Sequence, residues 1–338
     1  MPPKIVITMG DPAGVGPEVI VKALSRPEIY KICQPIVIGD SKVLDSILEF
    51  SKGLMSKGEL RLNSIRDIGK ARFNYGVIDI FDLGNIDMDR LKPGRVDSMC
   101  GKATFEYIKK GIEIVQTGRA KGMVTAPLCK KSMEEAGFSY PGHTELLAEL
   151  TGTKDFAMML VGGNLRVVLV TRHLPLKEVA SSLSKEKVLL AIRLGVEAMR
   201  AFGIDSPKVG VCALNPHAGE WGVLGKEEIE MIIPAIEEAR KEGIVVNGPL
   251  PSDKGFYDTA GGRYDLAVAM YHDQGQIPVK LLSYTKSVNV TLGLPFVRTS
   301  PCHGTAFDIA GQNKADPQSF IEAISLAAKL VEKGRMER

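Results

Sequence analysis

Short apolar runs alternate with amphipathic stretches along most of the chain. The apolar runs predict buried strands, and we place these strands at Lys4–Thr8, Pro35–Ile38, Val77–Phe81, Gly122–Thr125, Phe156–Val161, Arg166–Thr171, Lys208–Ala213, Leu266–Met270 and Val288–Thr291. Helical periodicity is clearest at Pro17–Leu24, Gly101–Thr117, Lys185–Phe202, Lys226–Glu242 and Pro317–Lys333. Strands that alternate with helices predict an α/β protein with a largely parallel sheet.

The length of 338 residues predicts about two domains. One boundary is expected near Pro127, where the chain leaves an apolar run for a loop, and another near Leu294-Pro295. These two points predict a discontinuous first domain of residues 1–127 plus 295–338. Residues 128–294 then form the second domain.

Charge and cysteine content exclude several classes of protein. Lys plus Arg number 43 and Asp plus Glu 40, so the net charge of +3 gives no basic footprint for nucleic acid. The five cysteines form no C-x-x-C pair, which argues against a disulfide framework and a thiolate zinc site. No apolar run approaches the ~20 residues that cross a bilayer, and no signal peptide is visible. We therefore expect a cytoplasmic protein that binds neither nucleic acid nor membranes.

Three of the five histidines follow predicted strands directly: His173, His217 and His272. Ligands of open α/β sheets bind at the carboxyl ends of the strands, and three imidazoles with open positions are typical of a catalytic metal site. Glu220 and Asp273 are placed to orient a histidine ring as hydrogen-bond acceptors. Taken singly, each histidine is equally consistent with a solvated loop position.

The glycine-rich segment Gly10–Glu18 follows a strand and opens a helix. Its glycines permit close approach of backbone amides to an anion or a substrate, and a simple tight strand-to-helix turn is the alternative. It is neither a Walker A motif nor G-x-G-x-x-G. His143 lies in another loop that opens a helix, and His303 precedes the last helix.

A basic and amide set follows in the last third of the chain. Asn289 lies inside an apolar strand, where an amide is costly unless it faces a polar group. Lys280 and Arg298 together suit a phosphate or carboxylate, and each alone is equally consistent with surface charge. The small-residue loop Ser300–Pro317 permits close backbone approach to a flat or phosphorylated ligand.

The stretch HGTAFDIAGQNKADP within this loop resembles the adenosine-binding loop of the isocitrate and isopropylmalate dehydrogenase superfamily. ITMGDPAGVGPE, TAPLCK, PGHTE, TRHLPL, NPHAGE and YHDQGQIPVK together resemble the 4-hydroxythreonine-4-phosphate dehydrogenase family. These motifs are long and irregular, and the resemblance runs from Ile7 to Pro317, nearly the whole chain.

The resemblance implies a two-domain α/β/α architecture with a non-Rossmann nucleotide site, NAD or NADP as oxidant, and a divalent zinc, magnesium or cobalt ion. The first domain would bind the nucleotide, and the second would bind metal and substrate and form a homodimer with the active site at the subunit interface. The resemblance assigns the metal to His173, His217 and His272, and the substrate to His143, Thr144, Lys280, Asn289 and Arg298, with Lys280 also as acid or base. It assigns the nucleotide to His303, Gly304, Thr305, Asp308, Ala310 and Asn313.

The implied reaction is oxidation and decarboxylation of 4-phosphooxy-L-threonine to 3-amino-2-oxopropyl phosphate, a step of pyridoxal phosphate (vitamin B6) biosynthesis. Cys302 stands where the family usually has an acidic residue, and Cys129 where an amide is common. These departures keep three related substrates open: 4-phospho-D-threonate, 4-phospho-D-erythronate and an aromatic cis-dihydrodiol. From the residues alone, a three-histidine metal hydrolase is the alternative from another class. The resemblance adds an acyltransferase as a further alternative, because phosphate acetyltransferases share the superfamily architecture.

Overall fold

The computed structural model describes residues 1–51 and 60–334. The strands are β1 (Lys4–Thr8), β2 (Gln34–Gly39), β3 (Arg61–Ile65), β4 (Val77–Asp82), β5 (Gly122–Thr125), β6 (Ala157–Gly162), β7 (Leu165–Leu169), β8 (Lys208–Cys212), β9 (Val245–Leu250), β10 (Leu266–Ala269), β11 (Val288–Leu292) and β12 (Val297–Pro301). The helices are α1 (Gly16–Leu24), α2 (Pro27–Ile32), α3 (Ser41–Ser51), α4 (Ser98–Gln116), α5 (Lys130–Glu135), α6 (His143–Thr151), α7 (Leu176–Ser182), α8 (Lys185–Ala201), α9 (Ile233–Lys241), α10 (Ser252–Ala260), α11 (His272–Ser283) and α12 (Gln318–Glu332).

The chain divides into two compact units, and the first is discontinuous. Unit 1 comprises Met1–Thr153 and Leu294–Glu332, and unit 2 comprises Lys154–Gly293. The second junction falls beside the expected point at Leu294-Pro295. The first lies beyond Pro127, because α5 and α6 pack against α4 and so stay with unit 1. The assignment of one function to each domain stays a prediction.

Unit 1 is built on a parallel sheet with the strand order β3-β4-β2-β1-β5-β12. Its central strands are short and almost wholly apolar, and Ile5, Val6 and Ile7 of β1 are completely buried. The helix α4 packs on β1, β2 and β5, while α12 packs on β12 and β5. Burial on both faces is what continuous apolar strands predict. Because the strands are parallel, their carboxyl ends meet at one edge of the sheet.

Unit 2 has the strand order β11-β6-β7-β10-β8-β9. The pairs from β7 to β9 are parallel, whereas β6 is antiparallel to both of its neighbours, β7 and β11. A two-residue turn, Gly163-Asn164, joins β6 to β7 as a hairpin. Both strands were predicted from the sequence, but their antiparallel pairing was not.

The α/β fold class is confirmed, with differences in detail. Three strands were not predicted: β3, β9 and β12. The segment expected as one helix over Lys226–Glu242 begins with a π-helical turn, Glu228–Ile232, before α9. Over residues 1–51 and 60–334, no helix combines the length and apolar character needed to span a bilayer.

Candidate active site

A buried polar group lies at the carboxyl end of β5 in unit 1. Thr125 is the last residue of β5, and its hydroxyl accepts a hydrogen bond of 2.5 Å from the guanidinium of Arg298 on β12. Arg298 is only 1% exposed, so the reading of this residue as surface charge is wrong. Burial lowers the pKa of Arg298, an effect that nearby Cys302 and Glu145 oppose. A guanidinium stays protonated at neutral pH, so unit 1 holds a desolvated cation.

His143, the first residue of α6, lies close enough to Arg298 to feel its charge. Burial, with a contribution from Arg298, places the pKa of His143 well below its ordinary value, although a hydrogen bond to the backbone of Ala126 opposes the shift. Nε2 of His143 is buried and has no hydrogen-bond partner among the described residues. The bond to Ala126 therefore uses Nδ1, which donates, and Nε2 of the neutral ring is a bare acceptor. Such an acceptor fits a ligand hydroxyl.

Two further polar residues of unit 1 are buried, Thr144 in α6 and Asp11 after β1. Thr144 follows His143 and is 1% exposed. Asp11, after β1, is wholly buried. Burial raises the pKa of Asp11 to about 6, although its Oδ1 accepts a 2.9 Å hydrogen bond from the Ala13 amide. Unit 1 thus keeps an ionisable carboxyl in a place that penalises its charge.

In unit 2 the histidines after β7 and β10 approach each other. The ring centroids of His173 and His272 are 5.8 Å apart. Two imidazoles bound tetrahedrally to one ion at about 2.1 Å would have their ring centres roughly 5 Å apart. Nδ1 of His272 lies 2.6 Å from the Asp273 carboxylate, which leaves Nε2 for a ligand. This orienting role of Asp273 is the one that the sequence suggested.

Hydrogen bonds tie the strand ends that carry these histidines. The amide and hydroxyl of Thr171, after β7, both donate to the Met270 carbonyl, after β10. Gln274 of α11 accepts from the Met270 amide and donates to the Ala213 carbonyl, after β8, and to the Ser252 hydroxyl. Gln274 is therefore a link between the ends of β10 and β8.

His217 begins an unusual loop after β8. Five consecutive residues, His217–Trp221, have φ between 42° and 76°, and only one of them is glycine. A left-handed residue other than glycine costs about 1 kcal/mol, so other contacts must hold the loop. Glu228, 1% exposed, accepts hydrogen bonds from the amides of Leu214 and Asn215 and from the Asn215 side chain. Strain of this kind is common where a loop presents a functional side chain.

The three histidines are not gathered together as one group. In the part of the chain that the structure describes, no three His, Cys, Asp or Glu side chains form a cluster that could hold a metal. His173 and His272 are brought together, and the structure does not place His217 with them. The assignment of all three histidines to one ion stays a prediction.

Lys280 and Asn289 lie in α11 and β11 of unit 2. The Lys280 ammonium is 5.1 Å from the centre of the Tyr284 ring. Oδ1 of Asn289 is buried without a hydrogen-bond partner among the described residues. An orphaned buried acceptor is costly, so Asn289 fits a ligand that brings a donor, as its place in an apolar strand suggested.

The loop that carries His303–Asn313 rests on the glycine-rich segment of unit 1. The Val15 amide donates to the Thr305 carbonyl at 3.0 Å. The two backbones are so close that a side chain at Gly14 would be crowded, because its Cβ would lie 3.0 Å from the Cβ of Thr305. The segment is thus a tight turn that packs against the loop.

The remaining nucleotide candidates lie along the same loop. Nδ1 of His303 is 2.9 Å from the Gly304 carbonyl, and the space around Gly304 is open. Asp308 is exposed and Ala310 is buried. Oδ1 of Asn313 is buried and has no hydrogen-bond partner among the described residues. An open glycine and an orphaned acceptor fit a nucleotide, as the histidine pair fits a divalent metal.

Comparison with known proteins assigns the family. The family model described as "Pyridoxal phosphate biosynthetic protein PdxA" matches residues 31–327. The chain belongs to the PdxA family.

Relatives within and around the PdxA family are similar over their whole length. A putative D-threonate 4-phosphate dehydrogenase of Clostridium botulinum is 45% identical, covering 97% of this chain and 96% of the relative. A 4-hydroxythreonine-4-phosphate dehydrogenase of Desulforapulum autotrophicum is 43% identical, with 96% and 95% covered. The crystal structure of the Klebsiella pneumoniae 4-hydroxythreonine-4-phosphate dehydrogenase gives a TM-score of 0.88 at 39% identity, with 98% of each chain covered.

Membership of the PdxA family makes this chain an NAD-dependent oxidoreductase. The hydrolase and acyltransferase alternatives are therefore set aside. For the PdxA family, membership also implies a divalent metal. The family does not fix the substrate, because the names of the two relatives give different substrates. These substrates differ at C2, which carries a hydroxyl in D-threonate 4-phosphate and an amino group in 4-hydroxythreonine-4-phosphate.

Three polar residues that the sequence analysis missed support the candidate site: Thr125, Gln274 and Glu228. Thr125 ends a strand in which every other residue is apolar or glycine, a visible signal that its hydroxyl has a partner. Gln274 lies two residues after His272, inside a quoted motif. Nothing in the sequence indicates that Glu228 accepts hydrogen bonds from the loop before it.

Proposed function

We propose that this chain oxidises and decarboxylates a four-carbon 3-hydroxy acid that carries a phosphate at C4, with 4-phosphooxy-L-threonine as the first candidate. One observation supports the proposal above the others: a desolvated arginine, Arg298, lies beside a neutral histidine with a free acceptor atom, His143. An arginine of this kind suits a carboxylate or a phosphate. A bare imidazole nitrogen suits a hydroxyl.

The proposal gives each residue a task. Arg298 binds one anionic end of the substrate, and Thr125 fixes its guanidinium. Nε2 of His143 accepts a hydrogen bond from a substrate hydroxyl, and Thr144 adds a second polar contact. From unit 2, Lys280 binds the other anionic end and serves as acid or base, while Asn289 accepts a hydrogen bond.

His173, His217 and His272 would hold the divalent ion, and the loop from His303 to Asn313 would hold NAD or NADP. When bound, the ion supplies Lewis acidity at the C3 hydroxyl, and the nicotinamide accepts the hydride. The C3 hydroxyl proton would pass to Lys280 or a bound water, and C3 would become a ketone. The resulting β-keto acid would lose CO₂, and C2 would take up a proton in place of the carboxylate. The product from 4-phosphooxy-L-threonine is 3-amino-2-oxopropyl phosphate.

We propose further that the working enzyme is a cytoplasmic homodimer whose site receives ligands from both chains. Exposed apolar side chains support this. Four of them lie on or just after α11, which begins at His272: Ile277, Leu281, Leu282 and Tyr284 are 58%, 82%, 58% and 73% exposed. Trp221, close to His217, is 96% exposed. Clustered exposed apolar groups are typical of protein interfaces.

A second candidate substrate is 4-phospho-D-threonate, which the name of the 45% identical Clostridium relative favours. It carries a hydroxyl at C2 where 4-phosphooxy-L-threonine carries an ammonium group. Oxidation at C3 and loss of CO₂ would then give dihydroxyacetone phosphate in place of the amino ketone. 4-Phospho-D-erythronate and an aromatic cis-dihydrodiol complete the set.

The test is an absorbance assay for NADH with all four substrates, each with NAD or NADP and with zinc, magnesium or cobalt. The expected result is rapid reduction of NAD or NADP with one of the C4-phosphorylated acids, and release of one CO₂ for each reduced nucleotide formed. The dihydrodiol serves as the control, because it carries no phosphate. Preferred oxidation of the dihydrodiol, or oxidation of a phosphorylated acid without CO₂ release, would contradict the proposal.

A further inference from the structure

A partly buried ion pair in α1, Glu18–Lys22, reaches the far end of the predicted nucleotide loop. Oε1 of Glu18, a residue that is 3% exposed, accepts from the Lys22 ammonium at 2.8 Å and from the Ala315 amide at 2.7 Å. The same ammonium donates to the carbonyls of Asn313 at 2.9 Å and Ala315 at 2.8 Å. We call Glu18 and Lys22 the clasp. It satisfies three backbone groups of the loop with charged partners, and such hydrogen bonds are stronger than neutral ones.

The start of the loop is held by packing without charge. Thr305 is seated on Gly14 and Val15, as described above. Beside it, a Cβ at Gly94 would lie 2.5 Å from the Phe307 carbonyl. The loop therefore has a close-packed beginning and an end that depends on the clasp.

The loop needs such support because its own backbone is strained. Ala306 has φ of 42°, a value that residues other than glycine and asparagine rarely adopt. Asn313 has φ of 56°, in the left-handed region that asparagine tolerates. Asn313, whose Oδ1 is the orphaned acceptor, is also the residue whose carbonyl Lys22 binds. The clasp thus fixes the residue that offers this acceptor to a ligand.

We propose that Glu18 and Lys22 are positioning residues for nucleotide binding: they hold the loop from His303 to Asn313 in the conformation that receives the dinucleotide. The inference rests on the proposed function in one respect, the assignment of NAD to this loop. A loop that is preformed pays less ordering entropy on binding. If the loop is competent only part of the time, the apparent Kd rises by the inverse of that fraction.

The variants are Glu18→Gln, Lys22→Met and the combination of the two. The double variant removes both charges, so it leaves no unpaired charge in the interior that could prevent folding. Lys31→Met is the matched control, because Lys31 is an exposed lysine in the next helix, α2. Hydrogen exchange of residues 303–316 reports the loop without any ligand. Titration with NAD alone reports its Kd, and steady-state kinetics report KM and kcat.

We expect faster exchange in the loop and an NAD Kd and KM raised roughly tenfold in Lys22→Met and the double variant. We also expect kcat, the substrate KM and the control to stay at wild-type values. A purely structural role would lower kcat and raise both KM values together. Unchanged NAD affinity in folded variants would overturn the inference, whether or not loop exchange increases. A wild-type protein that binds no NAD would instead refute the proposed function.

Discussion

Histidines in the two units lie in opposite environments. In unit 1, His143 is neutral, its Nε2 is buried, and the neighbouring Arg298 is 1% exposed. In unit 2, His173 and His217 are exposed, and the side chain of His272 is 36% exposed. His143 and Arg298 of unit 1 are already removed from water, whereas the unit 2 histidines are exposed to it.

This difference indicates two kinds of binding site. A preformed, desolvated polar group suits recognition of a charged substrate, since each interaction is strong there. Exposed imidazoles suit ligands that arrive from outside, such as a metal ion and a second chain. We therefore expect the function of the unit 2 histidines to depend on a metal ion and a second chain, and the buried polar group of unit 1 to be independent of both.

The largest effect is expected for His217→Ala. Loss of this proposed imidazole ligand should lower metal-dependent kcat/KM by about a thousandfold or more, with reduced metal content by elemental analysis and an unchanged melting curve. Lys208→Ala, at the opposite end of β8, is the control. Full activity of His217→Ala in the presence of a chelator would exclude His217 from the site.

A second prediction tests the exposed apolar face of α11. Leu281→Glu combined with Leu282→Glu should convert a dimer to monomers in sedimentation velocity, because an unpaired buried charge costs several kcal/mol. Activity should fall by about a hundredfold, equivalent to about 3 kcal/mol, because the proposed site needs ligands from both chains. Phe50→Glu, at a 55% exposed apolar position of unit 1, should change neither. A wild-type monomer with full activity would remove the difference between the units that we infer.

Local pattern was sufficient to predict the scaffold of the site. The strands β1 and β5 were predicted with their observed ends, because apolar runs between turn residues have few other solutions. The β6–β7 hairpin was missed although its turn, Gly163-Asn164, is a visible signal. β12 was missed because Arg298 reads as surface charge in so short a run.

Long-range pairing explains the rest of what the sequence did not predict. The guanidinium of buried Arg298 donates to the hydroxyl of Thr125, which lies 173 residues away in the sequence. The Glu18–Lys22 spacing is visible as a helical i,i+4 pair, but the Asn313 carbonyl that Lys22 binds lies 291 residues away. Sequence spacing identifies residues with chemical potential, and the fold decides which of them meet.

A third prediction concerns the burial cost of unit 1. The pKa of Asp11 is raised from 3.8 to about 6, so the stability that its protonated form contributes is present below about pH 4 and is lost as pH rises to about 6. Asp11→Asn escapes this loss. In urea unfolding at pH 8 it should be more stable than wild type by up to about 3 kcal/mol, and it should match wild type below pH 4.

The control for Asp11 is Asp67→Asn. The pKa of Asp67 is lowered by hydrogen bonds from the Gly69 amide and Arg119, so removal of its charge should reduce stability at pH 8 instead. Equal pH dependence in both variants would show that burial does not set the pKa of Asp11. Unit 1 would then lack the desolvated interior on which the comparison depends.

The smallest effect is expected for Thr125→Val. The change keeps the shape of the side chain but leaves a guanidinium N–H of Arg298 without its acceptor, a loss of about 1–2 kcal/mol. The substrate KM should rise about tenfold, while NAD affinity and metal content stay constant, because only the position of the Arg298 guanidinium is disturbed. Thr104→Val is matched to it: Thr104 is also fully buried, and its hydroxyl bonds only to the Cys100 carbonyl of its own helix. If both valine variants raise KM equally, the loss reflects packing of unit 1 in general. If only Thr125→Val does so, substrate binding in unit 1 depends on an arginine that the Thr125 hydroxyl holds in place.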